Sequence, residues 1–125
     1  MQTVLIDTDI IIDYLRGHTL AIEYLEKLKP PIFISVVTIA EIYAGIRSNH
    51  EEKTVANLMD TFEVFSLENI TAITGGQFVQ QYAKSHGTGL ADALIAATAL
   101  HHKATLVTLN TKHFPMIKTI KPYKK

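Results

Sequence analysis

The chain has 125 residues, of which 47% are hydrophobic, so it has the size of one ordinary domain and enough apolar side chains for a buried core. It contains no cysteine, which excludes a disulfide framework, a thiolate metal site and a cysteine nucleophile. Twelve basic residues balance twelve acids, but every acid lies in residues 1–92, and residues 93–125 carry six lysines. Such a tail could bind a polyanion, but on charge alone we favour a lysine-rich end that keeps the protein soluble.

The N-terminal stretch MQTVLIDTD is a poor secretory signal, because no basic residue precedes its apolar run and an aspartate follows at position 7. No apolar run reaches the roughly 18 residues that a membrane-spanning helix needs. The lack of cysteine fits a reducing compartment. We therefore expect a cytoplasmic protein without membrane association.

Apolar strands alternate with amphipathic helices along the whole chain. The first strand is a continuous apolar run, which is typical of a strand buried in a parallel sheet. The alternation predicts one α/β domain over residues 1–125, with a mostly parallel sheet of four to five strands and helices on both faces. In chain order, the predicted elements are strand 3–7, helix 9–16, helix 19–29, strand 32–35, helix 37–47, a helix marked by apolar residues 55–62, strand 63–67, a helix over about 69–86, helix 90–102, strand 104–109 and, as a fifth strand, 116–120.

Two aspartates follow the first strand directly. Sites in open parallel sheets form at the carboxyl ends of strands, so Asp7 can face a crevice. Either acid could instead cap the next helix, and for Asp9 we favour that interpretation. For Asp7 it is less satisfactory, because its carboxylate follows three apolar residues and an unpaired charge beside them is costly. A cation would remove that cost.

Two further acids occupy comparable positions. Glu41 lies in the apolar helix after the second strand, and Asp92 opens an alanine-rich helix. Each has a structural alternative, since Thr38 and Glu41 have the spacing of a capping box and Asp92 suits the helix dipole. Taken together, Asp7, Glu41 and Asp92 predict three carboxylates at one sheet edge. Without cysteine or paired histidines, such a cluster favours Mg²⁺ or Mn²⁺ and metal-assisted phosphodiester hydrolysis.

Four stretches occur in order over nearly the whole chain: LIDTDIIIDYL, ISVVTIAEIYAGI, GLADALIAATAL and ATLVTLNTKHF. Through them the chain resembles a PIN domain and, within that family, the VapC-type toxin ribonucleases of toxin–antitoxin pairs. The resemblance implies a three-layer α/β/α sandwich, an acidic Mg²⁺ or Mn²⁺ site and endonucleolytic cleavage of RNA. It also implies a homodimer and a cognate antitoxin, for which the apolar helices at 10–15 and 36–46 are candidate contact surfaces.

The resemblance also assigns roles to individual residues. The acids of the first three motifs are Asp7, Glu41 and Asp92, which become the candidate metal ligands. At position 110 the fourth motif often carries an acid, whereas this chain has Asn110, whose amide oxygen can ligate a metal or hold a water but supplies no charge. The residues expected around these ligands or against RNA are Thr8, Asp9, Thr108 and Arg47, with surface or strand-end roles as the alternative. Residues near the last two motifs that could meet RNA phosphates are His101, His102, Lys103, Lys112 and His113. For His101 and His102 we favour a solvated helix end that interacts with the helix dipole.

Alternative functions remain open from the sequence. LIDTDIII also resembles the opening motif of haloacid-dehalogenase phosphatases, in which Asp7 would be the nucleophile and Asp9 the general acid. That family needs an acid pair after a late strand, which ATLVTLNTKHF lacks. A catalytically degenerate PIN-like module that binds RNA or a partner is a second alternative, because Asn110 replaces an acid. A structural domain whose acids are all helix caps is the third.

Overall fold

The computed structural model describes residues 2–125, in which five short strands alternate with six α-helices. The strands are β1 (Val4–Ile6), β2 (Phe33–Ser35), β3 (Glu63–Phe65), β4 (Thr105–Val107) and β5 (Thr119–Ile120). The helices are α1 (Thr8–Leu15), α2 (Thr19–Lys27), α3 (Val36–Ala44), α4 (Asn49–Met59), α5 (Asn69–His86) and α6 (Leu90–His101), and a 3₁₀ turn spans Thr111–His113. Residue 1, which the predicted domain includes, lies outside the described residues. Among residues 2–125, none of the helices has both the length and the apolar character required to cross a membrane.

All five strands are parallel, in the order β3-β2-β1-β4-β5. Strand β1 is central, with Leu5 paired with Phe33 on one side and with Leu106 on the other. The chain builds the sheet outward from β1 to β3, then returns to add β4 and β5 beyond the opposite edge of β1. Parallel sheets bind ligands where the direction of winding reverses, which here is the carboxyl edge between β1 and β4. The predicted α/β class and parallel sheet are confirmed.

Successive side chains of each strand enter two different apolar layers, as the two-residue period of a strand requires. Ile6, Ile34 and Val107 face α1 to α4, where they are fully buried. Leu5 and Leu106 face the opposite layer, which α6 supplies and α5 covers. The result is the expected three-layer sandwich, and each fully buried aliphatic side chain contributes about 1.5–3 kcal/mol to its stability.

The start of α1 differs from the sequence prediction. The helix begins at Thr8, and its N-cap is Asp7, whose Oδ1 accepts a hydrogen bond from the Thr8 backbone N–H at 2.8 Å. Asp9 lies inside the first turn of the helix. The N-cap role that we favoured for Asp9 is therefore wrong, because the strand ends one residue earlier and the chain turns at Asp7 itself.

The start of α3 also corrects an expectation. Its N-cap is Ser35, the last residue of β2, whose Oγ accepts from the Val37 backbone N–H at 3.0 Å. Thr38 and Glu41 consequently both lie within the helix and do not form a capping box. Their side chains are left to interact with other elements.

Candidate active site

Asp7 lies at the carboxyl edge of the sheet, at the reversal point between β1 and β4. Its side chain is only 5% exposed. Oδ1 accepts from the Thr8 N–H, and Oδ2 accepts from Thr108 Oγ1 at 2.7 Å. Its backbone N–H donates to the carbonyl of Val107 at 2.9 Å, which extends the ladder between the two strands by one residue. The local structure therefore fixes both carboxylate oxygens.

The surroundings of Asp7 disfavour its negative charge. Burial raises the pKa of this carboxyl to about 7, and the charges of Asp9 and Asp92 act in the same direction. Hydrogen bonds from Thr108 and from the Thr8 N–H oppose the rise but do not cancel it. Of these contributions, that of Asp92 is the smallest. A cation at this edge would stabilise the ionised form.

Asp9 adds a second carboxylate to the same edge, and this one is half-buried. Its Oδ2 accepts from the Leu109 backbone N–H at 3.0 Å and lies 3.5 Å from Thr108 Oγ1. Its Oδ1 is buried and has no hydrogen-bond partner among the described residues. Burial raises the pKa of Asp9, and the N–H groups of Leu109 and Ile10 counteract part of that effect. The unpartnered oxygen can accept a bond from a ligand or a water.

Glu41 is connected to this edge through two threonines. Thr8 Oγ1 lies 2.6 Å from Glu41 Oε1 and 3.0 Å from Thr38 Oγ1. A hydroxyl carries one proton, so Thr8 donates to the carboxylate and accepts from Thr38. Both threonines are buried, whereas Glu41 is exposed. The relay therefore holds an acid at the surface by means of buried donors.

Asp92 and Asn110 both hydrogen-bond to residues that follow β4. Asp92 lies in the first turn of α6, where its Oδ2 is 3.2 Å from His113 Nδ1. Asn110 follows β4, and its backbone N–H donates to Thr108 Oγ1 at 3.0 Å. The Asn110 side chain is exposed. Through Thr108, the fourth motif thus shares a hydrogen-bond network with Asp7.

A groove with a volume of about 430 Å³ opens between α1, α3 and α4. Glu41 and Arg47 both lie in its wall. Its apolar lining comes from Ile12, Leu15, Ile42, Ile46 and Val55. The groove therefore joins a candidate catalytic acid to an apolar surface and a cationic side chain.

The predicted acids do not form a closed metal site. Within residues 2–125, no three Asp, Glu or His side chains are grouped closely enough to hold a metal ion as they stand. Like charges repel, and Asp7, Glu41 and Asp92 are each held by a protein donor instead. Mg²⁺ uses one or two protein carboxylates and takes its other ligands from water and phosphate. The all-oxygen donor set at this edge fits such an ion.

Sequence reasoning missed two of the hydrogen bonds around these acids. Thr38 was considered only as part of a capping box, and His113 only as a contact to RNA phosphate, whereas Thr38 bonds to Thr8 and His113 to Asp92. Each pair joins elements that are distant in the chain, so no local spacing indicates the contact.

Comparisons with known proteins cover nearly the whole chain. The family described as "PIN domain" matches residues 4–118, which include all four motifs. The chain is 38% identical over 122 residues to Ribonuclease VapC10 of Mycobacterium tuberculosis, covering 95% of this chain and 91% of that protein. It is 36% identical to Ribonuclease VapC19 of the same organism, covering 94% and 97%. A solved toxin–antitoxin complex from Klebsiella pneumoniae contains a chain with a TM-score of 0.85 and 31% identity, covering 98% of this chain and all of that one.

Proposed function

The chain belongs to the PIN domain family, and from its similarity to VapC ribonucleases we propose that it is an endoribonuclease, the toxin of a type II toxin–antitoxin system. The main support for an active site here is the buried Asp7 carboxylate, which lies between β1 and β4, where the direction of winding of the sheet reverses. Its pKa is raised to about 7 by burial and by the charges of Asp9 and Asp92. A carboxylate in that environment gains stability when a cation binds beside it.

The cation that we propose is Mg²⁺ or Mn²⁺, held by Asp7, Glu41 and Asp92. When bound, it supplies positive charge that offsets the charge of a phosphate group and makes water more acidic. The oxygen-only chemistry of these side chains supports a hard divalent ion. Asn110 contributes a neutral amide at the same edge, so the site carries less negative charge than one with an acid at that position.

The chain's own residues orient the metal-binding carboxylates and bind the RNA. Thr108 and the Thr8 N–H hold the two oxygens of Asp7, and the Thr8 hydroxyl holds Glu41. Because these donors are already in place, little reorganisation is needed when the substrate arrives. Arg47, in the wall of the groove beside Glu41, provides a cation for an RNA phosphate. In-line attack by water leaves products with a 5′-phosphate and a 3′-hydroxyl.

We propose a cognate antitoxin as the protein partner. Its proposed binding site is the groove between α1, α3 and α4. Apolar side chains there suit a peptide segment, and a segment in the groove would cover Glu41 and Arg47. The helical surfaces of α1 and α3 are also candidates for contact with a second copy in a homodimer. Light scattering of the isolated chain, with and without antitoxin, measures both associations. An RNA substrate and an antitoxin make the cytoplasm the proposed location.

Cleavage of end-labelled RNA by the purified chain tests the proposal. We expect cleavage that requires Mg²⁺ or Mn²⁺ and yields 5′-phosphate ends. Asp7→Asn and Asp92→Asn should each lower the rate by about 100-fold or more, since each removes a charge from the ion's surroundings. Asp60→Asn, which removes an exposed acid at the end of α4, is the matched control and should keep the wild-type rate.

Three outcomes would contradict this function. RNA cleavage at the wild-type rate by the Asp7→Asn, Asp92→Asn double variant would rule out the proposed active site. Tight RNA binding without metal-dependent cleavage would favour the degenerate module. Hydrolysis of phosphate esters through an aspartyl-phosphate on Asp7 would favour the phosphatase.

A further inference from the structure

The contact between His113 and Asp92 points to a role for a residue outside the proposed ligand set. We propose that His113 is a positioning residue, which holds the Asp92 carboxylate in one orientation through Nδ1. The inference deepens the proposed function, and rests on it insofar as Asp92 is a metal ligand. The two side chains are about equally exposed, at 29% and 30%, so the pair lies at the rim of the site rather than in the core.

The chemistry of the contact defines which atom carries the proton. Nδ1 of His113 lies 3.2 Å from Oδ2 of Asp92. A carboxylate oxygen can only accept, so a hydrogen bond here requires the ring proton on Nδ1. A carboxylate has a second oxygen, so this bond leaves the group able to ligate an ion. Outer hydrogen bonds of this kind orient metal ligands, and their loss typically costs 10–100-fold in metal affinity.

The backbone of His113 is itself fixed. Its carbonyl accepts from Thr88 Oγ1 at 2.7 Å, and Thr88 is only 2% exposed. Its N–H donates to the Asn110 carbonyl at 2.9 Å, closing the 3₁₀ turn. A buried hydroxyl from the loop between α5 and α6 therefore anchors the residue that contacts Asp92.

The end of α5 leaves room for the imidazole ring. Gly87 ends this helix in the left-handed conformation, with φ of 69°. A Cβ built on Gly87 would lie 3.6 Å from His113 Nε2, so the ring packs directly against this glycine. The Gly87–Thr88 turn and the 3₁₀ turn after β4 thus converge on the first turn of α6. Within residues 2–125, the bond from His113 is the one hydrogen bond by which these turns hold the Asp92 side chain.

Mn²⁺ affinity, measured by electron paramagnetic resonance on the full chain without RNA, tests the role independently of cleavage. His113→Ala should weaken Mn²⁺ binding by about 10–100-fold. His113→Asn retains an N–H donor close to the place of Nδ1 and should stay within about threefold of wild type. His86→Ala, which removes an imidazole next to the same turn, is the matched control and should bind like wild type. His113→Ala binding as tightly as wild type, or His113→Asn as weakly as His113→Ala, would overturn the inference.

The tautomer of His113 gives a second readout that needs no metal. Long-range ¹H–¹⁵N correlation spectra should show the proton on Nδ1 in wild type and a changed ring signal in Asp92→Asn. A proton on Nε2 alone in wild type would overturn the inference even if the protein binds Mn²⁺. If wild type binds no Mn²⁺ but the Nδ1 proton responds to Asp92, the proposed metal site fails while the positioning contact stands.

Discussion

Thr108 Oγ1 donates to Asp7 Oδ2 over 2.7 Å, joining the residue after β4 to the residue after β1. The two side chains meet because the strands pair in register, with Ile6 opposite Val107. Thr108 is fully buried, and its hydroxyl also accepts from the Asn110 N–H. In a water-poor setting such a bond is strong, and losing it is costly. The Thr108 hydroxyl therefore favours the ionised form of Asp7 and also fixes the backbone of the fourth motif at Asn110.

Thr108→Val should disturb the site more than the fold. It removes the donor that lowers the pKa of Asp7, so that pKa should rise above about 7. Divalent-metal affinity should fall by about 10–100-fold, as for other lost hydrogen bonds to ligands. Carboxyl titration followed by NMR and Mn²⁺ titration measure the two effects. Thr108→Ser keeps the hydroxyl and should behave like wild type; equal behaviour of the serine and valine variants would contradict the role of the hydroxyl.

Asp7→Asn should make the metal-free protein more stable at neutral and alkaline pH. The pKa of Asp7 is about 7 in the folded protein against an ordinary value of 3.8, so between these values the unfolded chain releases a proton that the folded chain keeps. Wild-type stability contributed by this group therefore falls as the pH rises from about 4 to about 7. The asparagine variant lacks that loss and should be more stable by about 2–4 kcal/mol at pH 8.

Urea denaturation in the presence of a chelator measures the Asp7→Asn effect. The advantage of the variant should shrink toward zero near pH 4, where both forms of position 7 are neutral. Asp60→Asn, at an exposed site, should show no comparable trend. An advantage that is constant across this pH range would mean that packing rather than charge is responsible.

Much of the fold could be predicted because it depends on local patterns. The apolar run at Val4–Ile6, the prolines after α2 and the glycines before α6 mark the elements correctly, and the PIN resemblance is confirmed by the family match. The start of α4 was missed, because the sequence marked this helix only by its apolar residues 55–62. In the structure Ser48 caps the helix by accepting from the Glu51 N–H, and Glu51 in turn accepts from the Arg47 N–H.

The site was less predictable because its contacts depend on strand order. The sequence places Asp7 at the end of a strand, and Thr108 was expected near the ligands only through the PIN resemblance, because no local pattern indicates that it bonds to Asp7. Glu41 illustrates the same limit, since its spacing from Thr38 suggested a cap while the fold joins both side chains to Thr8. The roles of the predicted ligands, and the extent of the domain over residues 1–125, stay predictions.

A buried acid outside the site should govern stability at low pH. Asp13 in α1 is 4% exposed; its Oδ2 accepts from the Tyr123 hydroxyl at 2.8 Å, and its Oδ1 lies 2.7 Å from Lys125 Nζ. Burial raises the pKa of Asp13, but the bonds from Lys125 and Tyr123 outweigh it and the net shift is downward. The stabilisation is therefore present above about pH 4 and is lost as the pH falls through the lowered value.

Tyr123→Phe should reduce the free energy of unfolding by about 1.5–3 kcal/mol at pH 7, because it removes a hydrogen bond to a buried charge. Lys125→Ala should cost less, at most about 1 kcal/mol, since the lysine side chain is 53% exposed and solvent screens it. Urea denaturation at pH 7 and pH 3 measures both. The penalty of Tyr123→Phe should be smaller at pH 3, and an equal penalty at the two values would argue against a charged partner.

Two adjacent glycines in α5 should respond oppositely to alanine. At Gly76, a Cβ would meet nothing within 4 Å, so Gly76→Ala should stabilise by about 0.5–1 kcal/mol through helix propensity alone. At Gly75, a Cβ would lie 2.7 Å from Leu94 Cδ2 and 3.4 Å from Leu94 Cα, in the packed contact between α5 and α6. Gly75→Ala gains the same stabilisation from helix propensity, but its new methyl group forces the Leu94 side chain to move.

The closest atom is the end of the flexible Leu94 side chain, which can rotate away, so Gly75→Ala should be less stable than Gly76→Ala by about 1 kcal/mol in urea denaturation. Equal stability of the two variants would show that the Leu94 side chain moves aside without a cost in the free energy of unfolding.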